Sequence, residues 1–475
     1  AEAEIRKNLV TRGYIKGIIG LPANLFYGTG IPACIVLVDK EGAKDRKEIF
    51  MIDASSGFMK DGNKNRLRSR DIHKIVDVFN TQEEVEKYSR LVPLKEIEKN
   101  EFNLNLPRYI DSQEEEDLQD IEAHLKGGIP SRDVEALKEY WDVCPGLKAA
   151  LFSENRSKYL DLSVDKTAIK NSIFEHPEFQ SYTEKMNALF SEWRNRAEKK
   201  LKALEAGHNP KEVIFELSED LLDHYEEAPL LDQYDIYQHL MNYWSDTMQD
   251  DCYLIAADGW TAKAERIIEK DKKGKEKDKG WSCDLVPKSL IVSRYLEDEQ
   301  KAITELETAL EIAAAERTEL EEEHGGEEGA FSELEKINKG AASARIKELR
   351  ADKQSEAESK EEIAILKKWT ELNNQESKLK KELKEKEAEL DEKAYKQYPK
   401  LSELEIKTLV VDDKWLSTLE SLIHGEMDRV SQSLTQRVKE LAERYETPLP
   451  KMTEQVAELE GKVNKHLERM GFSWM

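Results

Sequence analysis

Nowhere does this 475-residue chain run apolar for the roughly 18 residues that a membrane-crossing helix needs, so no helical span is expected. Cysteine is scarce: Cys34, Cys144, Cys252 and Cys283 lie far apart with no paired spacing, which suits a reducing cytoplasm. Zinc sites usually show two close Cys or His pairs, and the nine histidines supply none, so no metal is expected. Positive charge is short as well, with 73 Lys and Arg against 98 Asp and Glu and a formal net charge of -25. Phosphate affinity comes from counterions released at Lys and Arg contacts, so a chain this acidic is not expected to bind DNA by itself. Any DNA it acts on must be brought by something else. What the chain has in quantity is charge: 36% of its residues are charged and its mean hydropathy is -0.72. A good part of it therefore reads as solvated helix, and length alone predicts about three domains.

The most informative stretch is Tyr14 to Lys40, YIKGIIGLPANLFYGTGIPACIVLVDK. Two apolar runs rich in β-branched residues, Ile15 to Ile19 and Cys34 to Val38, flank a loop holding two prolines and two glycines, which predicts a strand, a loop and a strand. The second run is apolar throughout and the first is broken only by Lys16 and Gly17, as expected for strands covered on both faces of a mixed α/β sheet. Too few other strands follow to complete such a sheet. On its residues alone the loop is an ordinary glycine-proline turn with two aromatics tucked into the core.

The loop LPANLFYGTGIP resembles that of the modification (M) subunit of type I restriction-modification systems, which are DNA methyltransferases. The resemblance implies that these are the last two strands of the methyltransferase sheet and that the loop lines the pocket for a flipped-out base. An extruded base is commonly held by stacking on aromatic rings, which Phe26 and Tyr27 would supply. Gly28 and Gly30 would let the backbone approach the base, and Pro22 and Pro32 would fix the loop ends. The family's glycine-rich loop for S-adenosylmethionine and its catalytic Asn-Pro-Pro-aromatic motif lie upstream of this loop. Here the only Asn-Pro is Asn209-Pro210, without a second proline, and Gly127-Gly128 and Gly325-Gly326 follow charged helices and no buried strand. The chain opens on AEAEIRKNL, without an initiator methionine and within a helical pattern. The expectation is the carboxy-terminal portion of a longer enzyme, inactive alone and with no catalytic residue of its own.

Further along, Glu48 to Ala54 reads as a strand that pairs beside the preceding one. Lys60, Lys64, Arg66, Arg68, Arg70 and Lys74 then cluster in an otherwise acidic chain. Lys64, Arg66, Arg68 and Arg70 are the candidates for DNA phosphate. The same segment also reads as a solvated loop leading into a helix that Asp71 caps, with Ile72, Ile75, Val76 and Phe79 on one face. The piece FNLNLPRYID again resembles the family, and Leu104 and Leu106, alternating with Asn103 and Asn105, predict a short strand stopped by Pro107. A boundary is expected near Ser112.

Residues 112–295 read as a mainly helical middle region with Tyr140, Trp141, Phe190, Trp193 and Trp244 between helices. Asp232, Asp235 and His239 share a helical face there, but one helix cannot complete a site, and the surrounding aromatics predict a core with satisfied polar tips. Cys252 to Ala256 is a candidate strand, and EKDKKGKEKDKG an exposed, mobile loop. In 296–402, Ile303, Leu306, Leu310, Ala313 and Leu320, with Arg317 as the polar exception, fall on coiled-coil core positions, as do Trp369, Leu372, Leu379, Leu383 and Leu390. An antiparallel helical hairpin follows, with Gly340 and the polar residues after it as a projecting tip.

Residues 403–475 read as carboxy-terminal helices, and Glu405 to Phe472 within them resembles the family's carboxy terminus. Leu416, Leu419, Ile423, Val430, Leu434, Val438 and Leu441 line one helix, and Val456, Leu459, Val463, Leu467 and Met470 another, after a break at Pro448 and Pro450. In the family, terminal helices of two M subunits pack on the central helices of one specificity subunit. Leu434, Val438, Leu441, Val456, Leu459, Val463 and Leu467 are accordingly the interface candidates. The fold class expected is α+β, mainly α: residues 1–111 as the edge of the catalytic sheet, then the middle region, the coiled-coil hairpin and the assembly helices. By resemblance, the complete enzyme uses S-adenosylmethionine to methylate the exocyclic amino group of adenine, with specificity and restriction subunits as partners, DNA reached through the complex, no membrane, and a place in the cytoplasm. The alternative is a structural coiled-coil scaffold without catalysis, which leaves the loop without a purpose.

Overall fold

A computed structural model describes residues 2–112, 118–270, 276–326, 329–334, 336–351 and 356–471, with backbone alone at 269–270, 276–277 and 356–359. The chain is mainly helical with small sheets, the expected α+β class. It clusters into two units, residues 1–200, 209–249 and 417–475 in one and 201–208 and 250–416 in the other, so the units cut across the consecutive segments read from the sequence. No helix among the described residues is long and apolar enough to cross a membrane.

The first unit opens with helix α1 (Glu2–Thr11) and a four-stranded sheet of order β2-β1-β3-β6, where β1 is Ile15–Gly20, β2 Cys34–Val38, β3 Glu48–Asp53 and β6 Ser89–Pro93. β1 and β3 read as largely apolar runs because both their faces are covered, with Lys16 the exposed break in β1. On one face Ile18, Met51 and Val92 pack with Val10, Ile97, Leu106 and Ile110. On the other, Ile19, Phe50 and Ile52 pack with Ile75 and Val78 of helix α2 (Ser69–Thr81). Gly17 is required by this packing: a Cβ there would lie 2.5 Å from the Phe79 ring.

Three expectations are corrected in this region. β2 is the sheet edge and is not covered on both faces; Ile35, Val36 and Val38 are 47%, 44% and 56% exposed, because an apolar run does not say what packs on it. β3 pairs in parallel with β1, so the strand does not lie beside the preceding one, β2. Residues 103–106 form no strand: Asn103 Oδ1 accepts the Asn105 N–H at 3.0 Å, and the chain enters a 3-10 turn at Leu106–Arg108. A local side-chain to backbone bond has displaced the ladder there.

The rest of this unit is mainly helical, with a short hairpin at Met59–Arg66 and a three-stranded sheet of Ile129–Pro130, Tyr159–Leu162 and Phe152–Arg156, and Trp141, Phe190, Trp193, Tyr225 and Trp244 are buried in it. The helix Ser417–Arg444 packs on Ile169–Phe174 and Gln233–Tyr243. Leu419, Ile423, Val430, Leu434, Val438 and Leu441 are all buried in it. The following helix, Leu449–Arg469, has no buried residue.

The second unit is built on the helices Glu297–Glu323 and Glu356–Gln397. They run antiparallel, as Lys393 to Glu299, Arg317 to Glu376 and Trp369 to Glu321 show. The polar core position Arg317 donates to Glu376 at 2.9 Å. The expected bare tip is corrected: Lys339–Ala351 is a third helix, whose Ala342, Ile346 and Leu349 join Leu320, Phe331, Leu366 and Trp369. Cys252 to Ala256 lies in the helix Gln249–Asp258 and is no strand; a five-residue apolar run cannot separate the two. The lysine-rich run is flanked by an antiparallel hairpin, Glu265–Lys270 with Glu276–Ser282, in place of a loop, while 271–275 lie outside the described residues.

Candidate nucleic-acid interface

The loop between β1 and β2 leaves the sheet at the carboxyl end of β1, the side where the parallel neighbour β3 also ends, and open α/β sheets bind ligands at that end. Its base is closed by the Leu21 N–H donating to Ala33 O at 2.8 Å. Asn24 and Gly28 adopt left-handed backbone, φ +56° and +81°, a region suited to Asn and Gly. Gly30 allows a close approach, since a Cβ there would stand 3.1 Å from Asn24 Oδ1. Phe26 is 52% and Tyr27 94% exposed, so the aromatic pair is presented to solvent and not tucked into the core.

A second element reaches this loop. The hairpin of β4 (Met59–Asp61) and β5 (Lys64–Arg66) sends Lys64 Nζ to Phe26 O at 2.8 Å and Asn65 Nδ2 to Ala23 O at 2.7 Å, while the Asn65 N–H donates to Asn24 O at 3.0 Å. The Lys64 ammonium stands 6.0 Å from the centre of the Tyr27 ring. The basic segment thus divides. Lys64 is at the loop, and Arg66 is exposed, 3.9 Å from Asp61. Arg68 is held by both oxygens of Asp71, at 2.8 and 3.0 Å, and Arg70 pairs with Asp235, with its backbone N–H on Gln238 Oε1. Burial, then the charge of Arg68, lowers the Arg70 pKa. Asp71 receives the Arg68 N–H at 2.8 Å and so caps α2 from within its first turn.

Asp232, Asp235 and His239 do not converge. Asp232 caps its helix through the Tyr234 N–H, Asp235 receives Arg70 and Arg429, and His239 meets Glu426 at 2.7 Å. No group of three or more His, Cys, Asp or Glu side chains is arranged for a metal among the described residues. Two clusters were not foreseen. His73 faces Asp77 at 2.7 Å through Nδ1 and Glu219 at 2.9 Å through Nε2, with the Tyr234 hydroxyl donating to Asp77. Burial opposes the charge on His73, but the bonds to Glu219 and Asp77 outweigh it and raise its pKa. The spacing of His73 and Asp77 could have signalled half of this; Glu219, far off in sequence, could not. Asn65, the other omission, carried no signal beyond a turn composition.

Of the interface candidates, Leu434, Val438 and Leu441 are interior, between 0% and 1% exposed, because their stripe is covered within the chain. Val456, Leu459 and Val463 are 55–58% exposed and Leu467 is partly so.

Residues 1–118, which contain the sheet, the loop and the hairpin, match the family model described as N-6 DNA Methylase. Over these residues the chain is similar to N-6 DNA methylases. The methylase subunit of the type I restriction enzyme MjaVII from Methanocaldococcus jannaschii is 36% identical over 155 residues, 31% of this chain and 27% of its own length. That of MpnII from Mycoplasma pneumoniae is 36% identical over 121 residues, 25% of this chain and 22% of its own. A solved type I restriction-modification methyltransferase subunit from Streptococcus thermophilus shares 36% identity over 24% of this chain and 23% of its own, with a TM-score of 0.22. The chain spans about a quarter of the length of the curated relatives it matches. The aromatic pair and the bracing hairpin both lie inside the matched residues, while the exposed terminal helix lies outside them.

Proposed function

We propose that this chain is part of a type I restriction-modification DNA methyltransferase and that the loop after β1 forms one wall of the pocket for an extruded adenine, whose exocyclic amino group is the methyl acceptor. The observation that carries this reading is the exposed pair Phe26 and Tyr27, displayed on a braced loop at the carboxyl end of a methylase sheet. Exposed rings cost apolar surface, and stacking on a base recovers it. β2 supports the same reading, since its bare apolar residues and open edge are what a strand inside a larger sheet shows when its neighbour is not present. The residues here do not fit S-adenosylmethionine. Gly127-Gly128 follows the charged helix Ile121–Lys126 and Gly325-Gly326 the helix Glu297–Glu323, and neither follows a buried strand. No step of the methyl transfer is therefore assigned to a residue of this chain.

Lys64 and Arg66 are the phosphate contacts in this reading, with Arg68 and Arg70 holding α2 in place. The helix Leu449–Arg469 carries the assembly role: its stripe of Leu449, Met452, Val456, Leu459 and Val463 is apolar, regular and uncovered, and suits a groove between helices of the specificity subunit. DNA and the restriction subunit are reached through that complex, in the cytoplasm. Two measurements test this. Transfer of labelled methyl groups to DNA by this chain with its specificity subunit is expected to be nil, and turnover would overturn the assignment of catalysis elsewhere. Deletion of the residues after Tyr445 is expected to abolish co-purification with the specificity subunit, and undiminished assembly would remove the terminal helix from the interface.

A further inference from the structure

The strand-loop-strand unit does not hold its own shape. Within the loop the fixed points are the Leu21–Ala33 closure and the Ile31 N–H on Thr29 Oγ1 at 3.1 Å. Between them, among the described residues, the backbone at Ala23, Asn24 and Phe26 is tied only to β5, and by two consecutive residues. Consecutive strand residues point to opposite sides. Asn65 accordingly grips from within, at 5% exposure, and Lys64 from the solvent side. Asn65 spends both its backbone N–H and its amide on the loop, and its Oδ1 has no partner among the described residues. The residues it seizes are Ala23 and the left-handed Asn24 itself, a conformation that outside support helps to hold.

We infer that Asn65 and Lys64 are positioning residues that set the Phe26 and Tyr27 rings for stacking on a nucleic-acid base, Lys64 also placing positive charge at the edge of the outer ring. This rests on the reading of the loop as a base-binding wall. Removing either grip leaves the rings in place chemically but frees the backbone that aims them, so the loss falls on base stacking and not on the sheet.

The test uses the full chain, at an ionic strength high enough to screen its net negative charge, and a single-stranded decanucleotide carrying one 2-aminopurine, whose fluorescence is quenched on stacking. Quenching is expected with the wild type and is lost in Tyr27→Ala. Asn65→Ala and Lys64→Met each weaken binding roughly tenfold, the order of one lost base-aromatic stack, and Lys64→Arg, which keeps donor and charge, restores it. Hydrogen exchange is expected to quicken at residues 23–31 in Asn65→Ala and to stay unchanged at Glu48–Asp53. Should exchange quicken at both, the fold has loosened and the half-buried Lys64→Met decides. Quenching by both variants equal to wild type overturns the positioning role alone. No quenching by the wild type overturns the base-binding reading and this inference with it.

Discussion

Two helices near the carboxy terminus carry the same kind of apolar stripe and meet opposite fates. In Ser417–Arg444 every stripe residue is buried against other helices of its unit, whereas in Leu449–Arg469 none is buried. The first is also tied by polar bonds to distant elements, Glu426 to His239 and Arg429 to Asp235. Among the described residues the second shows polar bonds within its own turns alone, such as Lys462 with Glu458 at 2.8 Å. A stripe at helical spacing therefore states that something covers it and leaves open what. Where the chain supplies the cover, the stripe is core; where it does not, the stripe is a surface awaiting a partner, which is how the terminal helix is read above.

The contrast can be broken most sharply at Leu434. Leu434→Ala should lower stability by about 2–5 kcal/mol, seen as a fall in the urea midpoint of the full chain, since a fully covered leucine leaves a cavity. A smaller effect is expected at Glu426. Its pKa is depressed to about 2, first by the bond to His239 and, against the opposing effect of burial, by Arg429. A depressed carboxylate contributes stability that is present above its ordinary value of 4.5 and is lost as pH falls toward about 2. Glu426→Gln should therefore cost about 1–3 kcal/mol at neutral pH. The gap from wild type should close between pH 4.5 and 2 in urea titrations across that range. A gap independent of pH would show that the carboxylate's charge is not what ties the helix down. The smallest effect is expected at Val456, where Val456→Ala should change the same midpoint by no more than about 0.5 kcal/mol, alanine being the better helix former. A cost like that of Leu434→Ala would mean the terminal helix is covered after all, and the comparison would collapse.

The same division explains how far the sequence could be read. β1 and β3 were legible because burial on both faces leaves a largely apolar run, and the coiled-coil arms because their core positions repeat over several turns. Residues 103–106 were not, because one asparagine side chain outcompeted the ladder, and Cys252 to Ala256 was not, because five apolar residues fit either a strand or a helix. At the candidate site the exposed rings stood out by their motif. Their brace did not: Asn65 acts through an amide bonded to Ala23 O and a main-chain N–H bonded to Asn24 O, more than forty positions earlier in the chain. Charge on its own was ambiguous too, since four neighbouring cations divide into two that face solvent or the loop and two that serve internal carboxylates.

The pair between Arg317 and Glu376 has a bearing on how the long arms find each other. Two heptad-patterned helices could slide by seven residues and still match leucine to leucine. A slide of that length would take Glu376, which is 9% exposed, away from Arg317 and set its carboxylate against Leu310 on one side or His324 on the other. Glu376 would keep Lys380 of its own helix but lose the bond from the facing arm, and a charge-assisted bond made in one register alone favours that alignment over the others. Arg317 thus works as a key for a zip that its leucines alone would let close in several places.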